Sequence, residues 1–126
     1  MLSILLVCPP GLRQLSIYTA VSAIPVDSII ERTAGVEAAL FLIEERHPDV
    51  VLIDANHLPA ETIYLLMKAR VLHPSITQVV MDGTAFHRQQ FREVGADYVL
   101  DDRDLDREFT QILLNVQNQR FESPLE

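Results

Sequence analysis

The chain has 126 residues, of which 48% are apolar, 22% are charged and one is a cysteine. This length favours one domain over two, and the apolar fraction excludes wholesale disorder. The 10 basic and 18 acidic residues give a net charge of −8, which argues against direct nucleic-acid binding, since phosphate contacts need clustered Lys and Arg.

The N-terminal half predicts alternating strands and helices. We expect a strand at Leu2–Val7 and a helix at Leu12–Ile24. A shorter, more polar run at Asp27–Arg32 is typical of a strand at the edge of a sheet. An amphipathic helix then begins at Val36 and ends at His47, which precedes a proline.

The C-terminal half continues the same alternation. The β-branched run Val50–Ile53 indicates a strand covered on both faces. We expect the later elements to be a helix from Pro59 to before Pro74, a strand at Gln78–Met81, a helix at Thr84–Val94, a strand at Tyr98–Leu100 and a helix at Asp104–Gln119. Five successive βα units predict an α/β fold with a doubly wound parallel sheet. We assign residues 1–118 to this domain and 119–126 to a C-terminal tail.

The sequence also indicates the cellular compartment of the protein. The longest apolar runs, Ile4–Cys8 and Val50–Ile53, are too short to cross a membrane, and the first ten residues do not resemble a signal peptide. A single cysteine, Cys8, fits a reducing compartment. We therefore expect a soluble cytoplasmic protein without membrane partners.

Right-handed crossovers bring the carboxyl ends of all five strands to one edge of the sheet, where doubly wound folds place their chemistry. The residues that directly follow the strands are Cys8, Asp54, Asp82 and the pair Asp101 and Asp102. These are the candidate site residues.

Three stretches together resemble the receiver domain of two-component response regulators, over about residues 1–118. They are Ile4–Val7, His47–Asp54 with its Pro-Asp before a buried strand, and Gly95–Leu100. The resemblance implies a flavodoxin-like (CheY-like) five-stranded sheet in the order 2-1-3-4-5 with helices on both faces. It also places Asp54 at the phosphoacceptor position.

The rest of the expected pocket is degenerate. Cys8 and Pro9 stand where receivers carry the acidic pair that holds Mg²⁺, and Asp82 replaces the usual Thr or Ser. Asp102, or Asp101 if the loop is one residue shorter, occupies the lysine position. Because phosphoryl transfer depends on cations that neutralise the phosphoryl oxygens, these changes predict a poor acceptor.

We therefore predict a pseudo-receiver: a regulatory module of two-component signalling that is not an enzyme, has no cofactor beyond weak Mg²⁺ binding, and contacts a histidine kinase, an effector or another signalling protein. The alternative is a single-domain response regulator phosphorylated on Asp54. The bland interpretations are that Asp54 caps the next loop and that Asp82 belongs to an ordinary Asp-Gly turn.

An enzyme hypothesis starts from Cys8 and Arg13, whose order is similar to the phosphate loop of low-molecular-weight tyrosine phosphatases. That loop needs five residues between Cys and Arg, and this chain has four. It also needs successive backbone N–H groups, which Pro9 and Pro10 lack. We expect no phosphatase activity.

The fourth predicted helix concentrates polar and basic side chains. In receivers, the face formed by the fourth helix, fifth strand and fifth helix is the usual partner and homodimer surface, and the resemblance implies that use here; the alternative is a merely solvated helix. The residues of this predicted surface are Phe86, His87, Arg88, Gln90, Arg92 and Tyr98.

Finally, Asp54, Asp82 and one of the two residues Asp101 and Asp102 are expected to converge without a lysine to balance them. Either a divalent cation binds there, or at least one carboxyl group has a raised pKa and stays protonated. We favour the protonated carboxyl group.

Overall fold

The apolar runs form a five-stranded, all-parallel sheet in the order β2-β1-β3-β4-β5, with helices packed on both faces. The computed structural model describes residues 1–55, 59–82 and 87–122, with side chains as far as residue 120. The strands are β1 (Leu2–Val7), β2 (Ser28–Thr33), β3 (Val50–Asp54), β4 (Thr77–Met81) and β5 (Tyr98–Leu100). The helices are α1 (Leu12–Ser22), α2 (Val36–Arg46), α3 (Pro59–Leu72), α4 (Arg88–Glu93) and α5 (Leu105–Glu122). The predicted fold class and strand order are confirmed.

The sheet divides the apolar core into two layers because successive side chains of a strand point to opposite faces. On β1, Ile4 and Leu6 pack with α1 and α5, whereas Leu5 and Val7 pack with α2, α3 and α4. Val50–Ile53 is buried throughout, which confirms the prediction of a strand covered on both faces. β2 pairs with β1 alone, at the predicted edge.

Most element boundaries agree with the sequence expectation to within two residues, and the two largest differences are in the last two helices. The helix predicted at Thr84–Val94 is observed as Arg88–Glu93, and residues 84–86 lie outside the described residues. The last helix continues to Glu122, so residues 119–122 of the expected tail are helical. The remaining tail residues, 123–126, lie outside the described residues.

The strand register brings the candidate residues to one edge. Val7 pairs with Ile53, Asp54 with Met81, and Met81 with Leu100, so β1, β3, β4 and β5 end almost in line. The backbone pairing also continues one residue further, since the Asp82 N–H donates to the Leu100 carbonyl at 2.9 Å.

Across the described ranges, no helix combines the length and the apolarity that a membrane crossing requires.

Candidate functional site

Asp54 is the last residue of β3, and its side chain is buried, with 1% of its surface exposed. Both of its carboxylate oxygens accept hydrogen bonds from one guanidinium group. Arg13 Nε lies 2.6 Å from Oδ2, and Arg13 Nη2 lies 3.1 Å from Oδ1. This two-point geometry is the strongest form of an ion pair between arginine and a carboxylate.

The same guanidinium group also binds the loop after β5. Arg13 Nη1 donates to Asp102 Oδ2 at 2.9 Å, and Nη2 donates to Asp102 Oδ1 at 3.0 Å. The hydrogen bonds to Asp102, followed by those to Asp54, raise the pKa of the Arg13 guanidinium group. Arg13 therefore links three elements of the fold: α1, the end of β3 and the β5–α5 connection.

The position of Arg13 in α1 needs this compensation. It lies in the first turn, where the partial positive charge of the helix N-terminus disfavours a cation. Gly11, with a φ of 144°, turns the chain into this helix, and the Gln14 side chain donates to the Cys8 carbonyl at 2.7 Å. The two carboxylates hold the arginine where helix electrostatics alone oppose it.

This arrangement corrects the expected electrostatics of the pocket. The sequence predicts acids without a lysine to balance them, and a different cation, Arg13, pairs with both Asp54 and Asp102. The sequence did contain one signal of this role, a basic residue in a helix first turn that has no acidic residue.

Cys8 lies beside Asp54, and its Sγ donates to Asp54 Oδ2 at 3.4 Å. Burial, the negative charge of Asp54 and this hydrogen bond raise the pKa of the Cys8 thiol to about 11. The thiol therefore stays protonated at neutral pH, whereas a nucleophilic cysteine must be a thiolate. This disfavours the phosphatase hypothesis.

We expect iodoacetamide to alkylate folded Cys8 at least about 100-fold more slowly than a free thiol at about pH 7.5, since almost no thiolate is present. The rate should keep rising between about pH 9 and about pH 11, because the folded pKa is raised from 9.0 to about 11. Mass spectrometry of quenched samples measures it, with the urea-unfolded chain as control. Rapid alkylation of the folded chain at neutral pH would contradict this.

The loop after β5 separates its two acids. Asp101 accepts a hydrogen bond from the Arg103 backbone N–H at 3.0 Å and opens a 3-10 turn, Asp102–Asp104. The Arg103 side chain lowers the pKa of Asp101, which removes Asp101 as the protonated carboxyl group. Of the two, Asp102 is the acid whose side chain accepts hydrogen bonds from Arg13.

Asp82 is buried at the end of β4, and its Oδ2 lies 3.8 Å from His87 Nδ1. Asp54 and Asp102 both pair with Arg13, whereas the basic neighbour of Asp82 is a different residue, His87. The described part of the chain holds no cluster of three or more His, Cys, Asp or Glu residues suited to a metal ion.

The pocket residues also fit Mg²⁺ poorly. Magnesium takes oxygen ligands in octahedral geometry. At the positions of the family's acidic pair, the Cys8 thiol is protonated and the Pro9 side chain has no oxygen, while both Asp54 oxygens accept from Arg13. Arg13 therefore occupies the Asp54 oxygens that a metal ion would need as ligands.

The fold has close counterparts among solved structures. A CheY-like response regulator receiver domain protein from Methanospirillum hungatei JF-1 superimposes with a TM-score of 0.76 at 24% identity, covering 94% of this chain and 98% of that chain. The receiver domain of a sensor histidine kinase from Pseudomonas aeruginosa PAO1, with a magnesium ion coordinated in its active-site cleft, superimposes with a TM-score of 0.77 at 17% identity. The match covers 90% of this chain and 95% of that chain. A DNA-binding response regulator of the LuxR family from Staphylococcus aureus superimposes with a TM-score of 0.77 at 16% identity, covering 92% of this chain and 98% of that chain.

The chain has the CheY-like receiver fold. By sequence alone, no family model and no curated protein matches it. The likeness is therefore one of backbone architecture, and the roles of individual residues rest on the geometry described above.

On this receiver fold, the predicted partner surface is only partly exposed. Gln90 and Arg92 face solvent, His87 and Arg88 are half-buried, and Phe86 lies outside the described residues. Tyr98 is half-buried and packs with the α1–α5 side of the core, on the face opposite Val99. The use of this surface by a partner stays a prediction.

Proposed function

We propose that this protein is a receiver-like regulatory module of two-component signalling that acts through protein contacts, without Mg²⁺-dependent phosphorylation of Asp54. One observation carries the proposal: Arg13 engages both Asp54 oxygens, and the Asp54 side chain is 1% exposed. The acceptor position is retained, but the acceptor atoms are occupied.

The chemistry of phosphoryl transfer supports this proposal. A carboxylate oxygen must approach the phosphorus in line, while cations neutralise the phosphoryl oxygens. At Asp54, Arg13 blocks the approach, and the residue that the β5–α5 connection contributes to Arg13 is an acid, Asp102, rather than a cation. Cys8 and Pro9 offer no oxygen side chain for a metal.

The second candidate is a single-domain response regulator phosphorylated on Asp54 by a histidine kinase. It is favoured by the position of Asp54 at the end of β3 and by the neighbouring guanidinium group. Arginine binds phosphate oxygens in the same two-point manner as carboxylates. If Arg13 released Asp54, it would be placed to contact the phosphoryl group.

Acetyl phosphate or phosphoramidate with Mg²⁺, followed by intact-mass measurement, distinguishes the two candidates. We expect the chain to gain no phosphoryl group, while a receiver with the full set of Mg²⁺ ligands gains one under the same conditions. Arg13→Gln is also expected to gain none, because freeing Asp54 restores neither the metal ligands nor the lysine. A stable gain that disappears in Asp54→Asn would establish the second candidate.

In the proposed role the protein is cytoplasmic and non-enzymatic, and its partner is a histidine kinase, an effector or another signalling protein. The net charge of −8 favours a partner with a basic surface over nucleic acid.

A further inference from the structure

Helix α3 carries apolar side chains on two opposite faces. One face is buried against the sheet and includes Leu65, Leu66 and Ala69. The other face points to solvent. Tyr64 is 47% exposed, Met67 is 54% exposed and Val71 is 77% exposed. Together with the exposed Ala60, these residues form what we call the α3 seam.

The spacing of the α3 seam separates it from scattered surface residues. Its members follow one another at intervals of four, three and four residues along the helix. At about 100° per residue, all four fall within a wedge of about 60°. The average spacing of about 3.7 residues is close to the 3.6 residues of one helical turn, so the seam stays on one face and can pack lengthwise against another helix.

Two opposite charges border the seam on the same flank. Glu61 and Lys68 are seven residues apart, so they are separated by about 10 Å along the axis and by about 20° around it. Lys68 Nζ lies 5.7 Å from the centroid of the Tyr64 ring, which places the cation at the seam border. No salt bridge within the described residues uses Glu61 or Lys68.

We propose that the α3 seam is a self-association face, on which two copies of this chain pair their α3 helices antiparallel about a two-fold axis. A two-fold contact must be self-complementary. With the axis between Tyr64 and Met67, Tyr64 of each copy faces Met67 of the other copy. The small Ala60 of each copy then faces Val71 of the other. The shared flank then brings Glu61 of one copy near Lys68 of the other.

The charge pattern is what selects a second copy as the occupant. If the flank carried charges of one sign, the flanks of the two copies would repel each other in a two-fold pair. Because this flank carries one acid and one base, the antiparallel arrangement places the acid of each copy near the base of the other. The antiparallel arrangement also opposes the two helix dipoles favourably. This face is separate from the predicted α4 partner surface.

Sedimentation equilibrium of the full chain over a concentration series tests the proposal. Because each copy carries a charge of −8, the series is run at about 0.15 M salt, where distant charges are screened. We expect a monomer–dimer equilibrium whose dissociation constant rises about 100-fold in Met67→Glu, which places a carboxylate in the centre of the seam. Leu114→Glu, at an exposed apolar position on α5, is the matched control and should leave the constant unchanged.

Charge reversal tests the flank independently of the apolar contact. Lys68→Glu and Glu61→Lys should each weaken the dimer, since each creates a like-charged flank. The double reversal Glu61→Lys/Lys68→Glu should restore the original dissociation constant. Loss of folding would not reproduce this restoration, and circular dichroism checks each variant.

Disulfide trapping tests the antiparallel geometry. Chains carrying Ala60→Cys mixed with chains carrying Val71→Cys should form a covalent dimer, whereas each variant alone should not. The native thiol does not interfere, because Cys8 is buried and its pKa is raised to about 11. Two results would overturn the proposal: a chain that stays monomeric at all concentrations, or a dimer that is lost in Leu114→Glu and retained in Met67→Glu. A monomeric chain would indicate that the α3 seam binds a different protein.

Discussion

Arg13→Ala should lower the free energy of unfolding by about 2–3 kcal/mol, measured by urea denaturation. The substitution leaves the Asp54 carboxylate, whose side chain is 1% exposed, without its two-point partner. Breaking a buried ion pair by removing one member costs about 3–5 kcal/mol. We expect a loss at or below the lower end of this range, because the Arg13 side chain is itself 34% exposed and water can partly replace its hydrogen bonds to Asp54.

A double-mutant cycle isolates this interaction. Asp54→Asn in the Arg13→Ala background removes the carboxylate charge that Arg13 neutralised and should recover part of the lost stability. Asp102→Ala is the matched control: its side chain is 41% exposed, so its pair with Arg13 should contribute less than about 1 kcal/mol. If Arg13→Ala changed stability no more than Asp102→Ala, the Asp54 pair would not be the contact that holds α1 to the sheet edge.

Phe91→Ala should destabilise the fold by about 3–4 kcal/mol, because it deletes a fully buried aromatic ring. Phe91 is the buried residue of α4, a helix of only 6 residues, Arg88–Glu93. A helix this short does not persist in water without tertiary packing. We therefore expect the predicted α4 partner surface to lose its structure together with this ring.

Urea denaturation measures the loss of stability, and amide hydrogen exchange of α4 measures the local effect. Gln89→Ala is the matched control on the same helix, since Gln89 is exposed and its side chain donates to the exposed Glu93, at 3.2 Å. It should change stability by less than about 0.5 kcal/mol. Equal effects of the two substitutions would show that α4 does not depend on its buried ring.

Charge is the feature of the pocket that sequence and structure describe differently. Asp54, Asp82, Asp101 and Asp102 follow strands that end at one edge, and the pattern of alternating elements predicts that placement. What it does not predict is the direction of each side chain. Asp101 turns back to cap its own 3-10 turn, whereas Asp102, the next residue, reaches the guanidinium group on α1.

Local sequence patterns were sufficient to predict the strand and helix alternation, the buried β3, the edge position of β2 and the location of Asp54 at the carboxyl edge. These features depend on apolar periodicity and on short-range signals such as proline, which are local in the chain. Two features became visible in three dimensions: Arg13 neutralises Asp54, a residue 41 positions away, and α3 leaves its second apolar face in solvent. The physical reason is that an ion pair or an exposed face depends on which elements become neighbours in three dimensions, and a side chain's local sequence does not record that.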